Sequence, residues 1–106
     1  MSEGADRART ESVLIEVYAE RATQRGRWTN QFDDSHSHDH WAMILGTYFG
    51  SLLAKVFFYT QGAPTEEAAL RHIEYDVNHI RAGLIKVAAI AVAWVEAIDR
   101  RRHNRA

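Results

Sequence analysis

Hydrophobic residues recur at helical spacing in three long segments of this chain, and no segment alternates convincingly as a β-strand would. The first segment, at about residues 10–25, has one apolar stripe, formed by Val13, Leu14, Val17, Tyr18 and Arg21. Thr10 or Ser12 can cap the start of this helix, and Gly26 ends it. A polar loop is predicted from Gly26 to about His38.

The second segment, at about residues 39–60, is apolar on almost all sides, and Asp39 is a suitable cap for its start. Two neighbouring apolar stripes run along it, formed by Trp41, Leu45, Tyr48, Leu52 and Val56 and by Ile44, Phe49, Leu53 and Phe57. Its one polar stripe consists of Thr47, Ser51 and Lys55. Because such a helix exposes few polar groups, protein must cover it on several sides.

The third segment is predicted at about residues 65–101, after the chain-breaking sequence QGAPT. Thr65 caps it, and acidic residues fill the first turn, where they complement the helix dipole. Its apolar positions follow a regular 4-3 spacing and are Ile73, Val77, Ile80, Leu84, Val87, Ala91, Trp94 and Ile98. The spacing continues across Gly83 and predicts one long helix that packs on partner helices at a shallow angle. A break near Asn78 is the alternative.

These segments predict an all-α bundle in a chain of 106 residues, which is the length of one domain. We expect a disordered N-terminal segment over residues 1–9, a single helical domain over 10–101 and a basic C-terminal tail over 102–106. Three helices with this much apolar surface cannot cover one another. The sequence therefore predicts a homo-oligomer, either a dimer or a tetramer, that completes the bundle.

Composition narrows the classes of function. The formal net charge is −1, so no overall field favours nucleic acid. The chain has no cysteine, which fits the cytoplasm, and its polar N-terminus is unlike a signal peptide. Residues 41–59 approach the length of a membrane span, but Gly46, Gly50 and Lys55 are among the residues that interrupt them, so we expect no membrane insertion.

The stretch DDSHSHDHW, residues 33–41, raises the question of a metal site. Within the third helix, three further residues have ligand-compatible spacing of i, i+4 and i+7. Together the stretch and the helix could supply nitrogen and oxygen ligands for Zn²⁺, Ni²⁺ or Mn²⁺. The candidate ligands are His36, His38, His72, Asp76 and His79. The alternative is a polar loop beside a solvated helix face with scattered histidines.

Three stretches together resemble the MazG-like proteins, the all-α nucleotide pyrophosphohydrolases, especially short forms from phages and mobile elements. The first is ERATQRGRW, where Glu20, Arg21, Gln24 and Trp28 match an E-R-x-x-Q-x-x-x-W pattern. The second begins the middle helix, where Trp41, Ile44, Leu45 and Gly46 match W-x-x-I-L-G. The third, residues 87–100, matches the V-A-A-V-A-V-A-W-I-E-A-I-D-R of the family's last helix most closely.

The resemblance implies a helical bundle that works as a dimer or tetramer. Its active members bind Mg²⁺ through an E-x-x-E pair and an E-x-x-D pair and cleave nucleoside triphosphates to monophosphate and pyrophosphate. In this chain the four positions fall on Thr47 or Tyr48, on Ser51, on Gly83 and on Lys86, and none is a carboxylate. A buried dication needs compensating negative charge, so the usual Mg²⁺-dependent activity is not expected.

Instead, the resemblance places Thr47 and Ser51 opposite Gly83 and Lys86 in a hydroxyl-lined, cationic cleft that could hold an anion or the phosphate of a nucleotide. Other contacts to such a ligand would come from Arg21, Gln24 and Trp28. One alternative is an active pyrophosphohydrolase with Mg²⁺ on relocated ligands, which would be Glu16, Glu20, Glu74 or Asp76. Another is a structural or protein-interaction module, in which the small residues only allow close helix packing while Lys86 extends to water.

Overall fold

The structure is a computed structural model that describes the backbone of residues 2–61 and 66–105 and the side chains of residues 2–56 and 77–103. It has four helices: α1 (Glu3–Arg27), α2 (Asn30–Asp34), α3 (His38–Gln61) and α4 (Glu66–Arg105). Three of them are long, and the described backbone contains no strand. The all-α prediction is confirmed, although the helix boundaries differ from the predicted ones.

Helix α1 begins earlier than the sequence predicts. The side chain of Ser2 accepts a hydrogen bond from the backbone N–H of Ala5 at 3.2 Å, and Glu3 and Asp6 lie in the first turn. Capping and acidic residues at an N-terminus stabilise a helix even where no other element covers it. Residues 3–9 are therefore helical, although their polar sequence predicts a disordered segment.

The predicted polar loop after α1 contains a short helix instead. Gly26 lies inside α1, which continues to Arg27. Thr29 then caps α2, since its hydroxyl accepts from the N–H of Phe32 at 3.1 Å. At the start of α3, Ser37 takes the capping role expected of Asp39 by accepting from the N–H of His40 at 3.1 Å.

Helix α4 is continuous over 40 residues, so no break occurs near Asn78. It also extends to Arg105 and includes most of the predicted basic tail. The predicted cap at Thr65 lies outside the described residues. Each of the other three helices packs against α4, which is the central element of the chain.

The core lies where α3 crosses the second half of α4. It contains Trp41 from α3 and Ile90, Ala93 and Ala97 from α4, with exposed fractions of 4% or less. Small side chains on α4 let the ring of Trp41 lie close to the helix backbone. An apolar core of this kind is the main source of stability in a small helical domain.

The regular 4-3 repeat of α4 is not the face that this chain buries. None of its described members is fully buried, and Val77 and Leu84 are 57% and 49% exposed. Ile73 lies outside the described side chains. The buried face instead carries alanines at positions 89, 93 and 97, because small side chains permit the closest approach of neighbouring helices. The larger residues of the repeat are left at the edge or in solvent.

In the described part of the chain, no helix combines the length and the apolar character that crossing a bilayer requires.

Candidate functional site

A cavity of about 210 Å³ lies between the four helices, and we call it the aromatic pocket. Its apolar wall comes mainly from the rings of Trp28, Phe32, Trp41 and Tyr48. Its polar lining consists of Arg21, Gln24, Asp33, His36 and His40. A mostly apolar cavity with a few convergent polar groups is the usual form of a small-molecule site.

Arg21 organises the polar side of this pocket. Its side chain is 3% exposed, and its guanidinium donates to two carboxylates: Nη2 to Asp33 Oδ2 at 3.2 Å and Nε to Glu96 Oε1 at 2.7 Å. Arg25 contacts the other oxygen of Glu96 at 2.5 Å. Because both oxygens of Glu96 are engaged, its position relative to α1 is fixed.

The pKa values of Asp33 and Glu96 are shifted in opposite directions. Burial raises the pKa of Asp33 above its ordinary value, although the nearby charge of Arg21 acts in the opposite direction. Burial also acts to raise the pKa of Glu96, but Arg21 and Arg25 together hold it below its ordinary value. Asp33 is thus the more weakly compensated carboxylate, and it lines the pocket.

His36 is buried beside the pocket among three other rings. The centroid distances from its ring are 4.8 Å to Phe32, 4.1 Å to His40 and 4.9 Å to Trp41. Burial, with a smaller contribution from His40, lowers the pKa of His36 below its ordinary value. His36 is therefore neutral at neutral pH and can present one donor and one acceptor.

Two arginines near the end of α4 hold α2 in place over the pocket. Arg100 Nε donates to both carboxylate oxygens of Asp34, at 2.8 and 3.1 Å. Arg101 Nη2 donates to the backbone oxygen of Asp34 at 2.9 Å and also to that of His36. These contacts fix the chain between α1 and α3, which a polar loop alone would leave free.

Trp41 carries a hydrogen-bond donor that no described residue satisfies. Its indole Nε1 is buried, and no acceptor lies within hydrogen-bond distance among the described residues. Trp94 stacks on Trp41 at 6.2 Å, but its own Nε1 donates to His38 Nδ1 at 3.1 Å. A buried donor without an acceptor is energetically unfavourable, so the Trp41 N–H favours a ligand that supplies a hydrogen-bond acceptor.

A second cavity, of about 410 Å³, lies between α3 and the middle of α4, and we call it the lysine cleft. Its polar and small lining residues are Glu20, Ser51, Lys55, His79, Gly83 and Lys86. Tyr48 borders both cavities, and Lys86 Nζ lies 5.4 Å from the centre of its ring. A Cβ on Gly83 would stand 2.6 Å from Leu52 Cδ1, so the two helices approach closely at this point.

The structure divides the predicted pocket residues between the two cavities. Arg21, Gln24 and Trp28 line the aromatic pocket. Ser51, Gly83 and Lys86 line the lysine cleft.

Thr47 lines neither cavity, because it is exposed and its hydroxyl donates to the backbone oxygen of Met43 at 2.7 Å. The sequence does not indicate Phe32 as a site residue, and it includes Asp33 only in the stretch considered for metal binding, because its pattern does not predict α2. Lys55 could have been found, because it shares the polar stripe of Ser51.

The predicted metal ligands do not come together in the described part of the chain. There, no three histidine, aspartate or glutamate side chains are grouped so as to hold a metal ion. His36 lies among rings, His38 accepts from Trp94, and His79 lines the lysine cleft. His72 and Asp76 lie outside the described side chains.

The described lining of the lysine cleft does not fit Mg²⁺ either. Among the described residues its only carboxylate is Glu20, and two lysines share the cavity with it. Mg²⁺ binds in proteins through carboxylates and other oxygen ligands, whereas ammonium groups repel it. Of the relocated ligands considered above, Glu16 is engaged by Arg81, whose Nη1 donates to Oε1 at 2.8 Å, and Glu74 lies outside the described side chains.

Compared with protein-family models, curated proteins and solved structures, the chain matches none.

Proposed function

We propose that this protein is a MazG-like helical protein that binds a nucleotide-type small molecule without hydrolysing it. The observation that carries the proposal is that Trp41 lines the aromatic pocket while its buried indole N–H has no acceptor among the described residues. A heteroaromatic ring inserted there would supply an acceptor and stack against the neighbouring rings. The resemblance of residues 20–28 and 87–100 to nucleotide pyrophosphohydrolases supports the same class of ligand.

The dimensions and the polar groups of the pocket favour a single planar ring system. At about 210 Å³ it is smaller than sites for drug-sized molecules, which begin at roughly 300 Å³. Stacking of a nucleobase on an aromatic side chain contributes roughly 1–3 kcal/mol. The amide of Gln24 and the carboxylate of Asp33 supply further donors and acceptors for the edge of such a ring.

Binding without hydrolysis follows from the residues at the positions that the family uses for Mg²⁺. Ser51, Gly83 and Lys86 occupy three of them, and the described lining of their cleft does not fit a hard dication. Without the metal, no described residue of the cleft would both orient a water molecule and neutralise the charge of the phosphates during the attack. We therefore propose a binding role rather than a pyrophosphohydrolase.

Tryptophan fluorescence tests the proposal, because Trp28 and Trp41 both line the pocket. Titration with a panel of nucleosides and nucleotides should quench the emission with at least one member. For that ligand, Trp41→Phe should weaken binding by about fivefold to thirtyfold, the loss of one hydrogen bond. Trp94→Phe is the matched control and should leave the affinity unchanged, because Trp94 does not line the pocket.

Two results would count against this function. If no member of the panel changes the emission or raises the melting temperature, the protein is not a nucleotide-type binder. Release of pyrophosphate from a nucleoside triphosphate at an ordinary enzymatic rate would show that it is a hydrolase instead.

We also propose that a second copy of the chain covers the exposed apolar face of α4. The accessible surface is 7896 Å², whereas a compact monomer of 12.1 kDa exposes about 6,000 Å². This excess is larger than the roughly 800 Å² that each partner buries in a standard interface. Val92 and Val95 of α4 are 40% and 56% exposed, and Phe49 and Leu53 of α3 are exposed as well.

Light scattering at micromolar concentration should therefore give the mass of a dimer or a larger assembly. Val95→Glu should shift the population toward monomer, because a charge would be buried at the contact. Gln31→Glu introduces the same charge at an exposed polar position of α2 and should leave the mass unchanged. A wild-type chain that stays monomeric would contradict the proposed assembly.

A further inference from the structure

Both lysines of the chain line one cavity. The sequence contains only Lys55 and Lys86; its other cationic residues of this kind are arginines. Lys55 lies on α3 and Lys86 on α4, and both border the lysine cleft. Since they are 31 positions apart in sequence, only the packing of the two helices brings them together.

Helical spacing and one glycine explain the arrangement. Ser51 and Lys55 are four residues apart, so they lie on one face of α3. On α4, His79, Gly83 and Lys86 have the spacing i, i+4 and i+7, so they also share one face. The missing Cβ of Gly83 lets α3 and α4 approach at this level, where a Cβ would stand 2.6 Å from Leu52 Cδ1. The two faces therefore close one cavity.

Among the described side chains, the two lysines differ from the neighbouring arginines because neither lysine forms an ion pair. Arg21, Arg81 and Arg100 each bind a carboxylate. By contrast, no described carboxylate lies within 4.0 Å of either lysine nitrogen, and Lys86 is held only over the ring of Tyr48. Glu20 borders the same cleft and offsets one of the two positive charges. Within the described lining of the cleft, one unit of positive charge thus remains for a ligand.

We propose that the lysine cleft binds the phosphate groups of a small anionic ligand directly, without a divalent cation. Lys55 and Lys86 supply the positive charge, and Ser51 supplies a hydroxyl donor. At about 410 Å³ the cleft has room for more than one phosphate group. A smaller cavity lies next to both sites, because it shares Lys86 with the lysine cleft, Trp28 with the aromatic pocket and Tyr48 with each of them.

This inference deepens the proposed function by placing the phosphates of the same ligand. It departs from metal-dependent phosphate binding, because the ammonium groups take the role of the cation. The two proposals can be tested independently. Pyrophosphate has no ring to enter the aromatic pocket, so it probes only the cleft, whereas a nucleoside has no phosphate and probes only the pocket.

Chemical acetylation of amines tests the inference with pyrophosphate as the probe. In EDTA, pyrophosphate should slow the acetylation of Lys55 and Lys86 severalfold, as read by peptide mass spectrometry. The N-terminal amine is the internal control and should react at an unchanged rate. Sodium chloride at equal ionic strength should protect neither lysine, which separates binding from screening.

A variant completes the test. Lys86→Gln should lower the affinity for pyrophosphate by about tenfold or more, the loss of one charge-assisted hydrogen bond, and should remove the protection of Lys55. Arg102→Gln, an exposed cation near the end of α4, should change neither. Three results would overturn the inference. The lysines could be protected only when Mg²⁺ is added, the N-terminal amine could be protected equally, or Lys55 could stay protected in Lys86→Gln. If a nucleoside quenches the tryptophan fluorescence but pyrophosphate does not protect the lysines from acetylation, this inference is refuted and the proposed function is not.

Discussion

Replacing Arg21 with methionine should lower the free energy of unfolding by about 3–5 kcal/mol, the cost of leaving a buried charge without its partner. Arg21 is 3% exposed and binds both Asp33 and Glu96. Methionine fills similar space but neutralises neither carboxylate. Asp33, which is itself 4% exposed, would lose its only ion-pair partner among the described residues. Urea denaturation followed by circular dichroism measures the change.

Arg25 provides the matched control, because it binds the same Glu96 from an exposed position. Its side chain is 42% exposed, so Arg25→Gln should cost less than about 1 kcal/mol. Adding Asp33→Asn to Arg21→Met should recover part of the loss, since the buried negative charge is then removed. Equal effects of the two arginine substitutions would show that burial does not control this network.

Replacing Ala93 with leucine should abolish ligand binding while leaving the free energy of unfolding within about 1 kcal/mol of wild type. Ala93 is 3% exposed and lines the aromatic pocket. The additional carbon atoms can enter the cavity, where they displace a ligand and gain contacts. Loss of the fluorescence response with an unchanged urea midpoint is the expected result.

Ala97→Leu tests whether the cavity is the cause. Ala97 is 2% exposed and belongs to the same face of α4, but it lines neither the aromatic pocket nor the lysine cleft. The same side chain should there overpack the core and cost about 1–3 kcal/mol. If Ala93→Leu destabilises as much as Ala97→Leu, or if it still binds ligand, the aromatic pocket is not the binding site.

The sequence predicts the helices better than their boundaries. Apolar periodicity locates all three long helices because it reflects local geometry, with 3.6 residues per turn. The short helix α2 has only five residues, too few for a periodic pattern. The start of α1 at Glu3 depends on a cap at Ser2 and on acidic residues in the first turn, and an apolar pattern does not record them.

The face that α4 buries could not be predicted from periodicity. The 4-3 repeat is the most regular pattern in the sequence, yet the chain buries Ala89, Ala93 and Ala97 instead. Both faces are apolar, so the pattern does not distinguish the one that packs within the chain. Side-chain size determines which face of α4 is buried within the chain, because small residues allow closer contact between helices. The larger residues stay exposed and can contact the proposed second copy.

The amino-acid sequence alone predicts the helical class, and it shows that positions 51, 83 and 86 carry no carboxylate and that the chain has only two lysines. The packing of the helices places Arg21, Gln24 and Trp28 around one cavity and Ser51, Gly83 and Lys86 around another, and no sequence pattern predicts this division. Helix formation depends on neighbours a few positions away, whereas a cavity depends on how closely two helices approach and on which side chains are too small to fill the space between them.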